Sequence, residues 1–303
     1  MKVKYNIIAI IVIFYPDKKH LEILIKNLIC QVDKIILVDN TPVGNKCSHN
    51  EVIQNFESHM EFIPLNDNFG IAKAQNIGIK RAVELFADFI LLSDQDTFFP
   101  DDYIQKMVYD INYIDFNETA AIVPLFKDIN QAKSSNKGFM LFTLYGWKRF
   151  FPEQGLYEVD QAISSGKIIN SKLIESIGLM NESLFMDWVD YEWCWRARHR
   201  YKIIGNANVT ISHLLGDSAV SIGFRDINLR PPIRSYYITR NAIYLALYST
   251  SLDFIHKVTL LIKSTRYVVG FPIFCEPHFK QFIFTMKGVI DGLRAKLGKV
   301  SQN

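Results

Sequence analysis

The 303-residue sequence lacks both long apolar runs and paired cysteines. No stretch of about 18 or more uncharged apolar residues occurs, so no transmembrane helix is predicted. The four cysteines are scattered, with neither C-x-x-C nor paired spacing: Cys30, Cys47, Cys194 and Cys275. This argues against a disulfide framework or a zinc site, and it is typical of a protein of the reducing cytoplasm.

Several common motifs are also absent. There is no G-x-G-x-x-G and no Walker A sequence, which excludes the usual dinucleotide-binding and P-loop interpretations. The apolar run 7–14 follows Lys2 and Lys4, as the core of a signal peptide would, but it is only eight residues long and has no small-residue cleavage site. A first buried strand explains this run better.

Charge is unevenly distributed along the chain. The net charge is +3, yet the part from Asp253 onward has eight Lys/Arg against three Asp/Glu, with phenylalanines and isoleucines between them. A basic segment of this kind can lie on an anionic membrane surface. A C-terminal helical subdomain with a solvated basic face is the competing interpretation, and the sequence leaves both open.

Strand-like and helix-like segments alternate through the first 125 residues. The predicted strands and helices are listed in chain order: strands 4–14, 34–38, 60–64, 89–92 and 120–123, with helices from Pro16, over 70–86 and over 100–114. Such β-α-β units predict an α/β fold with a mainly parallel sheet flanked by helices. After residue 125, 127–137 is loop-like, 160–169 strand-like, 171–177 and 190–201 helical, and 202–212 extended.

Carboxylates follow two of these predicted strands. Asp39 ends one strand, and Asp94 and Asp96 come directly after another. Because ligands bind at the carboxyl ends of strands in such sheets, these residues are expected on one functional rim. Two carboxylates one residue apart can hold a hard divalent cation that grips a diphosphate. A polar turn at the end of a strand is the alternative explanation for an isolated D-x-D.

Five short motifs occur in order along the chain. They are Phe14-Tyr15-Pro16, Val38-Asp39-Asn40-Thr41, Asn66 to Gly78, Ser93-Asp94-Gln95-Asp96 and Phe185 to Arg196. This ordered set, over roughly residues 5–245, resembles the family 2 inverting glycosyltransferases, which have a GT-A fold and use nucleotide-sugar donors. The segments 213–216 and 234–241 resemble the rhamnosyltransferase branch more specifically, although galactofuranosyltransferases share much of this layout.

The resemblance implies a domain plan and a donor site. A GT-A domain over 1–250 would have a nucleotide-binding half over 1–125 and an acceptor half over 126–250, followed by a basic, aromatic-rich helical extension over 251–303. The residues implied in donor binding are Tyr15, Pro16, Asp39, Asn68, Gly70, Asn76 and Asp94. Asp39 would accept the imide N–H of a uracil or thymine ring, with Tyr15 and Pro16 as a wall beside it. Turn or helix capping is the alternative for Asp39 and for Asn68.

The resemblance also implies a metal cofactor, Mg²⁺ or Mn²⁺. Asp96 would be its first ligand, Asp94 would contact the ribose or support the metal through water, and His213 would complete the metal or diphosphate site. A lone histidine is as often structural, so both interpretations of His213 stay open. The cation would neutralise the departing diphosphate.

Asp190 is the candidate catalytic base. Inverting transfer is a single displacement, in which one carboxylate takes the proton of the acceptor hydroxyl. Asp187, Asp190 and Glu192 compete for this role, and the resemblance implies that Asp190 is the base. Asp190 also begins a predicted helix, where the helix dipole favours its ionised form. N-capping is the alternative. The residues implied in binding the acceptor or the diphosphate are Asp187, Trp188, Glu192, Ser165, Gly166, Arg234, Tyr237 and Arg240.

The expected activity is transfer of L-rhamnose from dTDP-L-rhamnose to a lipid-linked precursor of a bacterial O-antigen or capsule. The expected location is the cytoplasm or the inner face of the cell membrane, with no nucleic-acid partner. Two alternatives remain: galactofuranosyl transfer from UDP-galactofuranose, and a non-catalytic nucleotide-sugar-binding subunit of a glycan assembly complex. Intact Asp94, Asp96 and Asp190 count against the second.

Overall fold

The computed structural model describes residues 5–43, 55–111, 113–128, 138–213, 219–221, 226–228 and 231–300. The strands in chain order are β1 (Ile7–Ile13), β2 (Lys34–Asp39), β3 (Met60–Pro64), β4 (Phe89–Asp94), β5 (Thr97–Phe98), β6 (Thr119–Asp128), β7 (Phe139–Thr143), β8 (Gly146–Phe150), β9 (Leu156–Glu158), β10 (Lys167–Asn170), β11 (Lys202–His213), β12 (Ala219–Ser221) and β13 (Asp226–Asn228). The helices are α1 (Lys18–Ile29), α2 (Ile71–Glu84), α3 (Tyr103–Ile111), α4 (Ile174–Ile177), α5 (Val189–Ala197), α6 (Pro232–Tyr248), α7 (Phe254–Phe274) and α8 (His278–Leu293).

A central sheet of nine strands runs in the order β3-β2-β1-β4-β10-β6-β11-β5, with β9 also paired to β11. The pairs β1/β2, β1/β4, β2/β3 and β6/β11 are parallel. Strand β10 runs antiparallel to both β4 and β6, between which it lies. The hairpins β7–β8 and β12–β13 stand apart from this sheet. The mainly parallel α/β fold expected from the sequence is thus confirmed.

The two faces of β1 enter separate cores, as expected for a strand covered on both sides. Ile8 and Ile10 pack in the cluster that includes Ala74 of α2. Ile11 and Ile13 pack in the cluster that includes residues of α1. All seven residues of β1 are buried, which explains why the run 7–14 is apolar throughout rather than alternating.

One predicted strand is shorter than expected. The segment 160–169 was expected to be extended, but only Lys167–Asn170 pairs in the sheet as β10. The preceding residues form a turn in which Gly166 has a φ of +77°, a conformation that breaks a strand. This turn positions Ser164 and Ser165 beside carboxylates at the sheet edge.

The C-terminal helices pack on the rest of the chain rather than standing apart. Tyr236 of α6 donates a hydrogen bond of 2.8 Å to the buried Asp291 of α8. Phe142 of β7 stacks on His256 of α7 with ring centroids 4.0 Å apart. None of the described helices is both long and apolar enough to cross a membrane. The domain boundary at residue 250 stays a prediction.

Candidate functional site

Three parallel strands bring the predicted residues to one rim. Strand register places Asp39 opposite Ile13 and Asp94 opposite Val12, so the two carboxylates flank the end of β1. Tyr15 follows β1 directly. The carboxyl ends of parallel strands meet at the same edge, which is where open α/β sheets bind ligands.

The turn after β2 links Asp39 to Tyr15. Asp39 is only 8 % exposed, and its Oδ1 accepts a hydrogen bond of 2.9 Å from the backbone N–H of Thr41. The Thr41 hydroxyl accepts one of 3.2 Å from the backbone N–H of Tyr15. The Tyr15 ring stays exposed beside this turn, followed by Pro16. The turn interaction of Asp39 and a role toward a base are compatible, because a carboxylate can accept several hydrogen bonds.

A second loop on the rim is joined to the first through asparagines. Asn40 accepts a hydrogen bond of 2.8 Å from the Phe69 N–H and donates one of 3.1 Å to Oδ1 of Asn68. The same oxygen of Asn68 accepts 3.0 Å from the N–H of Gly70. Gly70 has a φ of +84°, and a Cβ there would lie 2.4 Å from the carbonyl oxygen of Phe185. Only glycine therefore lets this loop approach the segment that precedes α5.

The candidate base lies at the start of α5, facing a serine. Asp190 accepts a hydrogen bond of 3.1 Å from the Ser164 N–H and a short one from the Ser164 hydroxyl. The next serine, Ser165, donates a short hydrogen bond to Oδ2 of Asp94. Ser164 in turn accepts 3.1 Å from Nε2 of the buried Gln75. The turn before β10 thus holds the carboxylates of Asp94 and Asp190 through adjacent residues.

The charge state of Asp190 reflects opposing influences. Burial raises the pKa of its carboxyl above the ordinary value, and the nearby Asp94 charge adds to this. The Lys167 ammonium and the hydrogen bonds from Ser164 lower the same pKa. Lys167 is completely buried, with Nζ 3.4 Å from Sγ of Cys194 and 5.4 Å from the centre of the Trp193 ring. A buried cation therefore lies within electrostatic reach of the candidate base.

The D-x-D segment forms the turn between β4 and β5. Its middle residue, Gln95, joins the turn to the end of β1, because it accepts 2.7 Å from the Phe14 N–H and donates 3.1 Å to the Phe14 carbonyl. Asp94 and Asp96 are both partly accessible on the rim. Backbone register places His213 opposite Thr97, next to Asp96, whereas the His213 side chain and residues 214–218 lie outside the described part.

Asp94 and Asp96 fit a hard divalent cation, because such a cation prefers carboxylate oxygens as ligands and both side chains are partly accessible. Among the described side chains, no cluster of three or more His, Cys, Asp or Glu is arranged to hold a metal. Two aspartates leave the remaining coordination to water and to substrate oxygens, which is usual for Mg²⁺.

The segment before Asp190 has an unusual backbone. Phe185, Asp187 and Trp188 all have positive φ, at 66°, 57° and 66°. The amide of Asn241 in α6 holds this segment by donating hydrogen bonds of 3.0, 2.8 and 3.1 Å to the carbonyls of residues 184, 186 and 187. Arg234 lies 3.3 Å from Oδ1 of Asp187 and is half-buried, so this pair lies at the edge of the site.

Five predicted site residues make structural contacts that occupy their polar groups. Asn76 donates hydrogen bonds to the Met180 carbonyl and to Glu182, and it accepts one from the Met180 N–H. Glu192 pairs with Arg196 at 2.7 Å. Burial raises the pKa of Glu192, and Arg196 opposes that rise. Trp188 is buried and donates 3.0 Å to the Ile238 carbonyl, which favours packing over a sugar contact.

The other two of the five, Tyr237 and Arg240, are also buried. The Tyr237 hydroxyl accepts 2.9 Å from the Val300 N–H. Arg240 donates 2.8 Å to the Leu184 carbonyl and 2.6 Å to that of Gly298. Gly166 packs under the site, where Tyr103 donates to its carbonyl. These contacts favour positioning roles over the binding roles that the resemblance implied.

Sequence reasoning missed Ser164, Gln75, Lys167 and Asn241 as parts of the site. For Lys167 a signal existed, because a cation directly precedes two isoleucines and follows Ser164-Ser165-Gly166. Gln75 and Asn241 lie within the segments 66–78 and 234–241 that carry the resemblance, but their contacts cross large distances in sequence and could not be predicted.

Comparison with known proteins shows the family and the fold of the chain. The family model described as "Glycosyl transferase family 2" matches residues 9–176. The chain is 34% identical over 246 residues to dTDP-rhamnosyl transferase RfbF of Shigella flexneri, covering 79% of each chain. The crystal structure of S. aureus TarS 1-349 in complex with UDP-GlcNAc superposes with a TM-score of 0.61 at 14% identity, covering 95% of this chain and 81% of that one. GalNAc-T7 with UDP, GalNAc and Mn²⁺ gives a TM-score of 0.59 at 14% identity, covering 86% and 55%.

Proposed function

The chain belongs to glycosyl transferase family 2, and from this premise we propose that it transfers L-rhamnose from dTDP-L-rhamnose to a hydroxyl of a glycan precursor, with inversion at the anomeric carbon. The similarity to a dTDP-rhamnosyl transferase over 79% of the chain carries the choice of donor. The acceptor in this proposal is a bacterial surface-polysaccharide precursor, carried on a lipid at the inner face of the cell membrane.

Asp190 acts as the base in the proposed reaction. Its carboxylate takes the proton of the acceptor hydroxyl as that oxygen attacks the anomeric carbon and dTDP leaves. The Ser164 N–H and hydroxyl fix the orientation of this carboxylate, and the ammonium of Lys167 favours its ionised form. An inverting mechanism needs one such base, and Ser164 in the turn before β10 orients Asp190 toward the rim.

The donor lies across the rim formed by the ends of β1, β2 and β4. Asp39 accepts the imide N–H of thymine, and the exposed Tyr15 ring with Pro16 bounds the base. Asn68 and Gly70 line the next loop toward the sugar and the diphosphate. Arg234 is half-buried beside Asp187 and is the arginine we assign to the diphosphate, since Arg240 is enclosed.

Asp96 and Asp94 would hold Mg²⁺ or Mn²⁺, with His213 following on β11. The bound cation neutralises negative charge on the diphosphate as it departs. Ser165 orients Asp94 by donating to one of its oxygens.

The test is donor turnover by the purified chain, with dTDP-rhamnose and UDP-galactofuranose in parallel, each with Mg²⁺, with Mn²⁺ and with chelator. We expect metal-dependent release of dTDP and none of UDP. Release of UDP alone would support the same mechanism with galactofuranose, instead of rhamnose, as the transferred sugar. If neither donor were turned over in the presence of a lipid-linked acceptor, the result would favour a non-catalytic binding subunit.

A further inference from the structure

Helix α8 has an exposed apolar face that no described part of the chain covers. Phe279, Phe282, Ile283, Ile290 and Leu293 are all exposed, with Phe279 at 75 %. Their spacing of three, four and seven places them on one side of the helix. The opposite side carries Gln281, Thr285 and Gly288, which are buried. Packing of α8 against the protein therefore leaves its most apolar side toward solvent.

A row of cations borders this apolar face. Lys280, Lys287 and Arg294 follow one another at a spacing of seven, on or just after α8. The one carboxylate of α8, Asp291, is buried and accepts a hydrogen bond from Tyr236. The exposed part of this helix thus combines apolar side chains with positive charge and no negative charge.

Helix α7 packs against α8 and has an exposed apolar side of its own. Phe254 is 81 % exposed, and Ile262, Val269 and Ile273, spaced by seven and four residues, are exposed as well. Its other side, with Leu260, Ser264 and Phe271, is buried. We call the exposed apolar side chains of α7 and α8 the outer face.

The turn of the β7–β8 hairpin lies beside the outer face. A Cβ added at Gly146 would lie 2.6 Å from Oγ1 of Thr259 on α7, so the hairpin touches this helix. The two residues before Gly146, Leu144 and Tyr145, are 88 % and 94 % exposed. A tyrosine and a leucine projecting at a turn are suited to the boundary between headgroups and acyl chains.

The outer face is tied to the rim of the sheet. After α8 the chain returns to the site, where the Gly298 N–H donates 2.7 Å to the Ser183 carbonyl and Lys299 lies 3.0 Å from Asp67. Asp67 belongs to the loop that carries Asn68 and Gly70. The segment that follows α8 therefore connects this helix directly to a loop of the rim.

We propose that the outer face docks the protein on an anionic lipid bilayer, with Phe279 and Phe282 inserted below the headgroups and the Lys280–Arg294 row against their phosphates. Exposed apolar helix faces bordered by lysine and arginine bind such interfaces through buried apolar area and charge attraction. A second copy of the chain is the less favoured occupant, since two such faces would bring their cation rows together. Docking on a bilayer is inferred from the outer face itself. Only its purpose, access to a lipid-carried acceptor, rests on the proposed function.

The test is co-sedimentation of the full chain with vesicles of phosphatidylcholine, alone or mixed with phosphatidylglycerol, without donor or acceptor. We expect binding to the anionic vesicles that weakens as salt is raised. F279E/F282E and K280E/R294E should each lower the partition coefficient by about 10-fold or more. Phe86→Glu and Lys172→Glu are the matched controls, since both side chains are exposed elsewhere, and they should bind as the wild type does.

Unchanged sedimentation of F279E/F282E, or no binding of the wild type to anionic vesicles, would overturn the proposal. A wild-type dimer in light scattering that F279E/F282E dissociates, without vesicle binding, would instead assign the face to self-association. Donor turnover with a water-soluble acceptor, measured on the same variants, should stay at the wild-type level. Loss of vesicle binding and failure of the proposed reaction are therefore separate results.

Discussion

Asp190 and Glu192 lie two residues apart and face different surroundings, which separates their roles. Ser164 orients Asp190 at the rim, whereas Glu192 pairs with Arg196 away from it. The sequence separates the two residues only as far as helical spacing allows, because both lie in the first turn of the same helix. The helical twist from Val189 turns the two side chains apart, and the contacts then fix which one faces the rim.

Asp190→Asn should abolish transfer while leaving donor binding intact. The amide cannot accept the proton of the acceptor hydroxyl, so kcat should fall by about 100-fold to 10,000-fold. The dissociation constant for dTDP, measured by calorimetry, should change little. Glu192→Gln is the control variant, and it should lower the melting temperature while retaining most of kcat. An equal loss of kcat in Glu192→Gln with unchanged stability would move the base to that residue.

The buried cation beside Asp190 makes a prediction about pH. Burial raises the Asp190 pKa in the folded protein, so the ionised base is lost as pH falls through a value above the ordinary 3.8. Lys167 opposes that rise, and Asp94 adds to it. Lys167→Met should therefore raise the pKa further and move the acidic limb of kcat/KM to higher pH.

A pH profile of donor turnover checks this shift, with Lys172→Met as the control for loss of an exposed cation. The melting temperature of Lys167→Met identifies any loss of folded protein. Such a loss would lower kcat/KM at every pH without moving the acidic limb of the profile. An unmoved acidic limb would contradict a role for Lys167 in setting the charge of the base.

Helix α6 holds the loop that carries Asp187, and this is a function of the element rather than of one residue. Asn241 and Arg240 together donate hydrogen bonds to the carbonyls of Leu184, Met186 and Asp187. That loop contains residues with positive φ, which persist only where the surroundings hold them. The resemblance implied that Arg234 and Arg240 bind the acceptor or the diphosphate, and the sequence could not tell which of the two arginines the fold encloses.

Arg240→Met should therefore cost stability more than donor affinity. It leaves the Gly298 carbonyl without its guanidinium donor and takes one donor from the Leu184 carbonyl, so the free energy of unfolding should fall by about 3 kcal/mol. Urea denaturation measures this loss. Arg234→Met, at the half-exposed pair with Asp187, should change stability by less than about 1 kcal/mol and raise the KM for the donor. If Arg240→Met instead raised the KM for the donor with little loss of stability, Arg240 would be assigned to the diphosphate.

Strands β1 to β4, β6 and β11 and the carboxylates at the rim could be predicted from the sequence, whereas the strands β5, β7, β8, β9, β12 and β13 were not predicted. Buried parallel strands read as continuous apolar runs, and their polar ends are visible as Asp39 and Asp94. The antiparallel insertion of β10 could not be predicted, because only four residues pair there and a glycine with positive φ precedes them. Neither could the path of the C-terminal segment, whose contacts join residues more than 200 positions apart.

At the scale of the whole molecule, the C-terminal segment after α8 closes the rim that the first half of the chain builds. Arg240 donates to the Gly298 carbonyl, the Val300 N–H donates to Tyr237, and Lys299 pairs with Asp67. A separate extension would lack such contacts. Removing the segment should therefore release both the Asp67–Gly70 loop and the segment before Asp190.

A chain ending at Arg294 tests this directly. It retains α8 and the outer face, so vesicle binding should persist, while donor turnover should fall by about 10-fold or more because the positioned loops lose their anchors. A chain ending at Val300 keeps every contact named above and should match the full chain in turnover and melting temperature. Equal activity of the two truncated chains would show that the segment after α8 lies along the rim without contributing to activity. A loss of activity confined to the shorter chain would show that the C-terminal segment and the Asp67–Gly70 loop belong to one site.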